Sequence, residues 1–140
     1  MEGNMLNETE KLTINLGITE LAQVDVLVEQ GLYSNRSDLI RTAIRRQLEN
    51  HKEDIERSLV PIASKAEWTR VIGIFTIDKV TLKEWSNESN EKLNISVIGM
   101  LIIDKGISLQ LFESAVGRIV IRGKIIASAE IKEAIKKMNA

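Results

Sequence analysis

At 140 residues, with 44% apolar and 28% charged residues, the chain has room for one ordinary domain or two small ones and has the composition of a folded soluble protein. The absence of cysteine excludes disulfides and thiolate chemistry, and a single histidine, His51, excludes histidine-rich metal sites. The net charge of −1 gives no general attraction to nucleic acid, and no apolar run approaches the roughly 20 residues of a membrane span. Charge is unevenly placed. Residues 1–57 carry seven Lys or Arg against eleven Asp or Glu, a net of −4, and the remainder carries twelve against nine, a net of +3.

The first ten residues are polar and acidic, which reads as an arm and not as a secretory signal. In Lys11-Leu12-Thr13-Ile14-Asn15-Leu16, Leu12, Ile14 and Leu16 alternate with Lys11, Thr13 and Asn15, the period-two pattern of a strand with one apolar and one polar face. No second alternating run lies within hairpin distance. A lone strand leaves its N–H and C=O groups without a ladder, and the simplest source of one is the same strand from a second copy.

Thr19 to Gln30 reads as a helix with Thr19 as N-cap, Glu20 in its first turn, an apolar stripe of Leu21, Val24, Leu27 and Val28, and Gly31 as the C′ glycine. A second helix runs from Asn35 to about Arg57, capped by Ser34 or Asn35, with Leu39, Ile40, Ala43, Ile44 and Leu48 as its buried face. Neither helix has enough apolar area to fold alone, so dimerisation is expected twice over. Arg41, Arg45 and Arg46 read as a solvated face, and His51 as an exposed residue near the helix end.

The alternating strand followed by Gly31-Leu32-Tyr33-Ser34-Asn35-Arg36-Ser37-Asp38-Leu39-Ile40-Arg41-Thr42-Ala43 resembles the ribbon-helix-helix family of bacterial and archaeal repressors, the MetJ, Arc and CopG type. The resemblance covers about residues 9–52. It implies a homodimer with an intermolecular two-stranded antiparallel ribbon laid in the major groove of double-stranded DNA, with Lys11, Thr13 and Asn15 facing base edges. It also implies a DNA phosphate held by Asn35, Arg36 and Ser37 at the start of the second helix, where free N–H groups and the helix dipole favour an anion. The residue types suit those roles: Lys donates to guanine, Asn pairs with adenine in two bonds, and Thr offers a hydroxyl or a methyl to thymine.

Pro61, the only proline, marks a break, and residues 54–66 read as a linker between a DNA-binding domain (1–53) and a C-terminal domain (67–140). The second domain contains an internal repeat. Val71-Ile72-Gly73-Ile74-Phe75-Thr76-Ile77-Asp78-Lys79 matches Val97-Ile98-Gly99-Met100-Leu101-Ile102-Ile103-Asp104-Lys105, and Ile121-Arg122-Gly123-Lys124-Ile125-Ile126-Ala127-Ser128 is a weaker third copy. The pattern predicts three parallel strands joined by right-handed crossovers, with helices over about 81–89, 108–116 and 129–138. Asp or Ser at the run ends can cap these helices, Thr81 to Glu84 fits a capping box, and each glycine permits close approach of neighbouring backbones. Asp78 and Asp104 read as caps before a carboxylate pair, and Trp68 and Trp85 as core or interface residues.

The fold class expected is therefore α+β: a ribbon-helix-helix unit followed by a βα-repeat domain that oligomerises or senses a signal. The functional expectation is a cytoplasmic transcriptional repressor, a homodimer or a tetramer built through the C-terminal domain, with no enzymatic activity, cofactor, metal or membrane. An antitoxin and a scaffold that does not bind DNA are the alternatives, the latter favoured by the net −4 of the N-terminal part.

Overall fold

The structure is a computed structural model that describes residues 9–59, 67–88 and 90–138. The chain divides into two compact units, 1–54 and 55–140. The expected arm lies mostly outside the described residues, as do Pro61 and the greater part of the expected linker.

In the first unit, residues 9–17 form neither helix nor ladder within one chain. Helix α1 spans Ile18–Glu29 and α2 spans Arg36–Asn50. The cap of α1 is Gly17 and not Thr19: Gly17 is extended, its carbonyl accepts from the Leu21 N–H at 2.9 Å, and no side chain caps the helix. Glycine is tolerated at an N-cap, so the helix starts at Ile18, one residue before the expected cap Thr19. At the other end the Gly31 N–H reaches the Val28 carbonyl and the Leu32 N–H reaches the Leu27 carbonyl, with Gly31 at φ +78°. These two bonds close α1 as a Schellman motif, as the glycine's place in the sequence suggests.

The second helix does not run unbroken to Arg57. It stops at Asn50, His51 leaves the helical region, and α3 covers Lys52–Arg57. His51 bridges the break, with Gln47 at 3.2 Å on one ring nitrogen and Asp54 at 3.2 Å on the other.

The second unit contains strands β1 (Thr69–Ile77), β2 (Leu93–Ile103) and β3 (Val116–Ile126), parallel and in the order β1-β2-β3. Helices α4 (Lys79–Glu88), α5 (Leu109–Ala115) and α6 (Ala129–Met138) follow the strands in turn. The third strand starts five residues before the repeat copy at Ile121, taking Val116 from the expected helix. The sheet partner decides this boundary, because Val116 pairs with Leu93.

Alternate residues of each strand meet the three helices on one side of the sheet: Phe75 and Ile77 of β1, Ile95, Val97, Leu101 and Ile103 of β2, Ile119 of β3, against Leu82, Phe112, Ala115, Ile131 and Ile135. Phe112, Ile95, Leu101, Ile119 and Ile131 have no solvent exposure at all. Such a core is the usual way a parallel sheet buries a face. The other face leaves Ile72 and Ile74 half exposed along β1.

The repeat is visible as register. Gly73, Gly99 and Gly123 lie directly beside one another across the sheet, at φ +128°, +136° and +135°. A Cβ on Gly99 would strike the Gly73 carbonyl oxygen, and one on Gly123 would strike the Gly99 carbonyl oxygen. The close approach expected of these glycines is thus a backbone-on-backbone contact that no side chain could share.

Caps follow the strands closely. Asp78 accepts from the Thr81 N–H at 2.7 Å and the Thr81 hydroxyl at 3.0 Å, so α4 starts at Lys79 and Thr81 is a capped residue, not the head of a capping box. Ser108 caps α5 through the Leu111 N–H at 3.1 Å. Asp104, at the repeat position of Asp78, instead accepts from the Gly106 N–H at 3.0 Å in a turn, because Gly106 and Ile107 separate it from its helix.

Candidate nucleic-acid interface

Lys11, Thr13 and Asn15 are exposed, as the polar face of a reading strand requires. Their apolar alternates are exposed too: Leu12 by 78%, Ile14 by 51% and Leu16 by 38%. Neither α1 nor α2 contains a buried residue. Leu21, Val24, Leu27, Val28, Leu39 and Ile40 are half-buried between them, whereas Ala43, Ile44 and Leu48, expected on the buried face of α2, are open to solvent. One chain therefore exposes aliphatic side chains along residues 12–16 and along the second half of α2.

Tyr33, Ser34 and Asn35 lead into α2. Asn35 is the N-cap: its side chain accepts from the Asp38 N–H at 2.8 Å, and Asp38 in return accepts from the Ser34 N–H at 3.0 Å. This reciprocal arrangement fixes the first turn and leaves the N–H groups of Arg36 and Ser37 as the unbonded amides at the positive end of the helix. Asp38 places a carboxylate at the same end, which lowers the positive potential available to a phosphate.

Arg36 is engaged inside the unit. Its guanidinium donates to both carboxylate oxygens of Asp25, at 2.7 and 2.8 Å. This contact holds the Asp25 carboxyl below the usual aspartate range, chiefly through the hydrogen bonds, and raises Arg36 by the same contact. Both groups are largely exposed, so the pair orients α1 on α2 more than it stabilises them. Asp25 had no signal in the sequence beyond an acid on the polar face of a helix. Its partner lies eleven positions away in a different helix, where no local pattern reaches.

A family model described as the ribbon-helix-helix transcriptional regulator family matches residues 7–132. The chain belongs to the ribbon-helix-helix transcriptional regulator family. The match extends far beyond the resemblance visible at residues 9–52 and takes in the whole sheet and the first turn of α6. The chain is also similar to the transcriptional regulator CdrS of Halobacterium salinarum (strain ATCC 700922 / JCM 11081 / NRC-1), with 32% identity over 44 residues, 31% of this chain and 80% of that protein. No solved structure matches the chain significantly. Lys11, Thr13 and Asn15 lie in the segment that precedes α1, and Asn35, Arg36 and Ser37 lie at the start of α2. Among the described residues no helix is long and apolar enough to cross a membrane.

Proposed function

We propose that the protein is a sequence-specific DNA-binding repressor that works as a homodimer in the cytoplasm. Two copies pair residues 11–16 as an antiparallel ribbon, and the ribbon enters the major groove with Lys11, Thr13 and Asn15 presented twice about a two-fold axis. The observation that carries this reading is the exposure of Leu12, Ile14 and Leu16 beside two helices that hold no fully buried residue. Each such side chain taken out of water contributes about 1.5–3 kcal/mol, and a second copy supplies the cover and the ladder together.

Symmetry then sets the target: a two-fold ribbon reads a palindrome or paired short half-sites. The net −4 of residues 1–57 means that non-specific attraction is weak, so discrimination falls on base contacts worth about 1–3 kcal/mol each. Asn35, Arg36 and Ser37 fix the register by holding one phosphate per subunit. Occupying an operator excludes RNA polymerase, and the C-terminal domain links or tunes the dimers.

A mobility-shift titration against the DNA upstream of the protein's own gene tests this. Specific retardation over random DNA is expected, lost when Lys11, Thr13 and Asn15 are all replaced by alanine. Equal affinity for both DNAs, or specific binding that survives the triple substitution, would overturn the reading.

A further inference from the structure

Strand β1 uses only one of its two ladders: its inner side pairs with β2, and no strand among the described residues pairs with its outer side. The glycine row gives that outer side a direction. Cβ atoms built on Gly123 and Gly99 project onto the preceding strand's carbonyl, so the equivalent bond at Gly73, which has nearly the same φ, projects off the open edge, where none of the described residues lies within 4 Å. The row leaves room beyond β1 for one more backbone, as close as β1 stands to β2.

The two edges of the sheet differ in chemistry. Strand β3 carries Arg122 and Lys124 on either side of Gly123, and basic side chains on an edge keep other strands away. Strand β1 has one charge in nine residues, Arg70, and shows Ile72 and Ile74 at 50% and 42% exposure. An edge of that length with a single charge near its start is a template for another strand.

The sequence of β1 is also self-complementary. A two-fold axis through Gly73 sets Ile72 opposite the partner's Ile74, Val71 opposite the partner's Phe75 and Arg70 opposite the partner's Thr76, so apolar faces apolar and no like charges meet. The same operation on β3 through Gly123 sets Arg122 against the partner's Lys124, which is repulsive.

We propose that β1 pairs antiparallel with β1 of a second copy, joining two three-stranded sheets into one six-stranded sheet. This interface is separate from the ribbon and does not rest on DNA binding.

The chain contains no cysteine, so introduced ones report proximity directly. Full-length Ile72→Cys mixed with full-length Ile74→Cys is expected to give a disulfide-linked heterodimer under mild oxidation, while Arg122→Cys mixed with Lys124→Cys gives none. Equal cross-linking at both edges, or none at β1, overturns the proposal. Sedimentation equilibrium supplies an independent reading, with far-UV circular dichroism confirming that each variant is folded. In the Ile14→Lys background, which breaks the ribbon, the mass remains that of a dimer and halves when Ile72→Lys and Ile74→Lys are added. A monomer in the Ile14→Lys chain alone, or a dimer that survives all three substitutions, overturns it.

Discussion

Arg36 clamps Asp25 with two parallel hydrogen bonds, Nε to Oδ1 at 2.7 Å and Nη2 to Oδ2 at 2.8 Å, and so ties the start of α2 to the middle of α1. The same guanidinium is the strongest cation at the α2 N-terminus and the proposed phosphate ligand. The two roles compete for its charge, because a carboxylate held in a two-pronged contact offsets most of the attraction a phosphate would feel.

Replacing Asp25 with asparagine keeps a hydrogen-bond acceptor near Arg36 and removes the carboxylate charge. The variant is expected to bind DNA more tightly without gaining specificity. Its log K against log salt should steepen by about 2 per dimer, one released counterion for each freed arginine. Filter binding of operator and random DNA over a salt series measures both. An unchanged slope would mean that Arg36 leaves Asp25 on binding DNA in the wild type or never meets phosphate.

Acid acts on this protein at two aspartates whose carboxyls the fold holds low. Asp25 is lowered mainly by its hydrogen bonds from Arg36, and Asp78 mainly by the Thr81 N–H and then the Thr81 hydroxyl. A depressed carboxyl contributes stability that is complete above its unfolded value, near pH 4, and is lost as pH falls through the lower folded value. Unfolding midpoints in urea should therefore be flat from pH 7 to about 5 and fall below about 4. Asp78→Asn retains a good capping side chain without the titration, so its midpoint falls less steeply between pH 5 and 3; an identical slope would show that the Asp78 cap does not couple to protons.

Gly99 and Gly73 share a backbone conformation and differ in surroundings. Gly99→Ala adds strain at φ +136° and drives a methyl into the Gly73 carbonyl oxygen. A loss of about 3 kcal/mol or more is expected, strain and overpacking together. Gly73→Ala adds the strain alone, since none of the described residues lies within 4 Å of the added atom in one chain. Urea unfolding at low protein concentration should rank Gly99→Ala as clearly the worse, and equal losses would contradict the close approach of β1 and β2.

The repeat domain was legible because its signals are periodic and local. Three copies of one pattern produce three strands in register, and the glycines that align in sequence also align across the sheet. Gly31 was legible for a similar reason, since a glycine after an apolar stripe closes a helix by bonds within six residues. One miss came from a residue decided at a distance: Val116 looks helical until Leu93 pairs with it. At Thr81 two neighbouring capping signals compete, and Asp78, a cap by its place at the end of the run, is the one that accepts from the Thr81 N–H. At the candidate interface the alternation of residues 11–16 was plain, whereas the Asp25–Arg36 contact joins two helices and leaves no local trace.

The most exposed expectation concerns Leu48 on α2, predicted as buried by its spacing yet 54% open in one chain. Phe112, fully buried in the repeat domain, provides the comparison. Phe112→Ala removes a ring from a packed core and should cost about 3–5 kcal/mol at any protein concentration. Leu48→Ala would cost little in a monomer, because the side chain is already largely in water. If the ribbon dimer covers it, the loss rises towards the 2–5 kcal/mol of a core leucine and appears as a midpoint that depends on protein concentration. Thermal unfolding of both variants over a hundredfold range of concentration separates the two cases, and a small, concentration-independent effect for Leu48→Ala would place α2's outer stripe outside the dimer core.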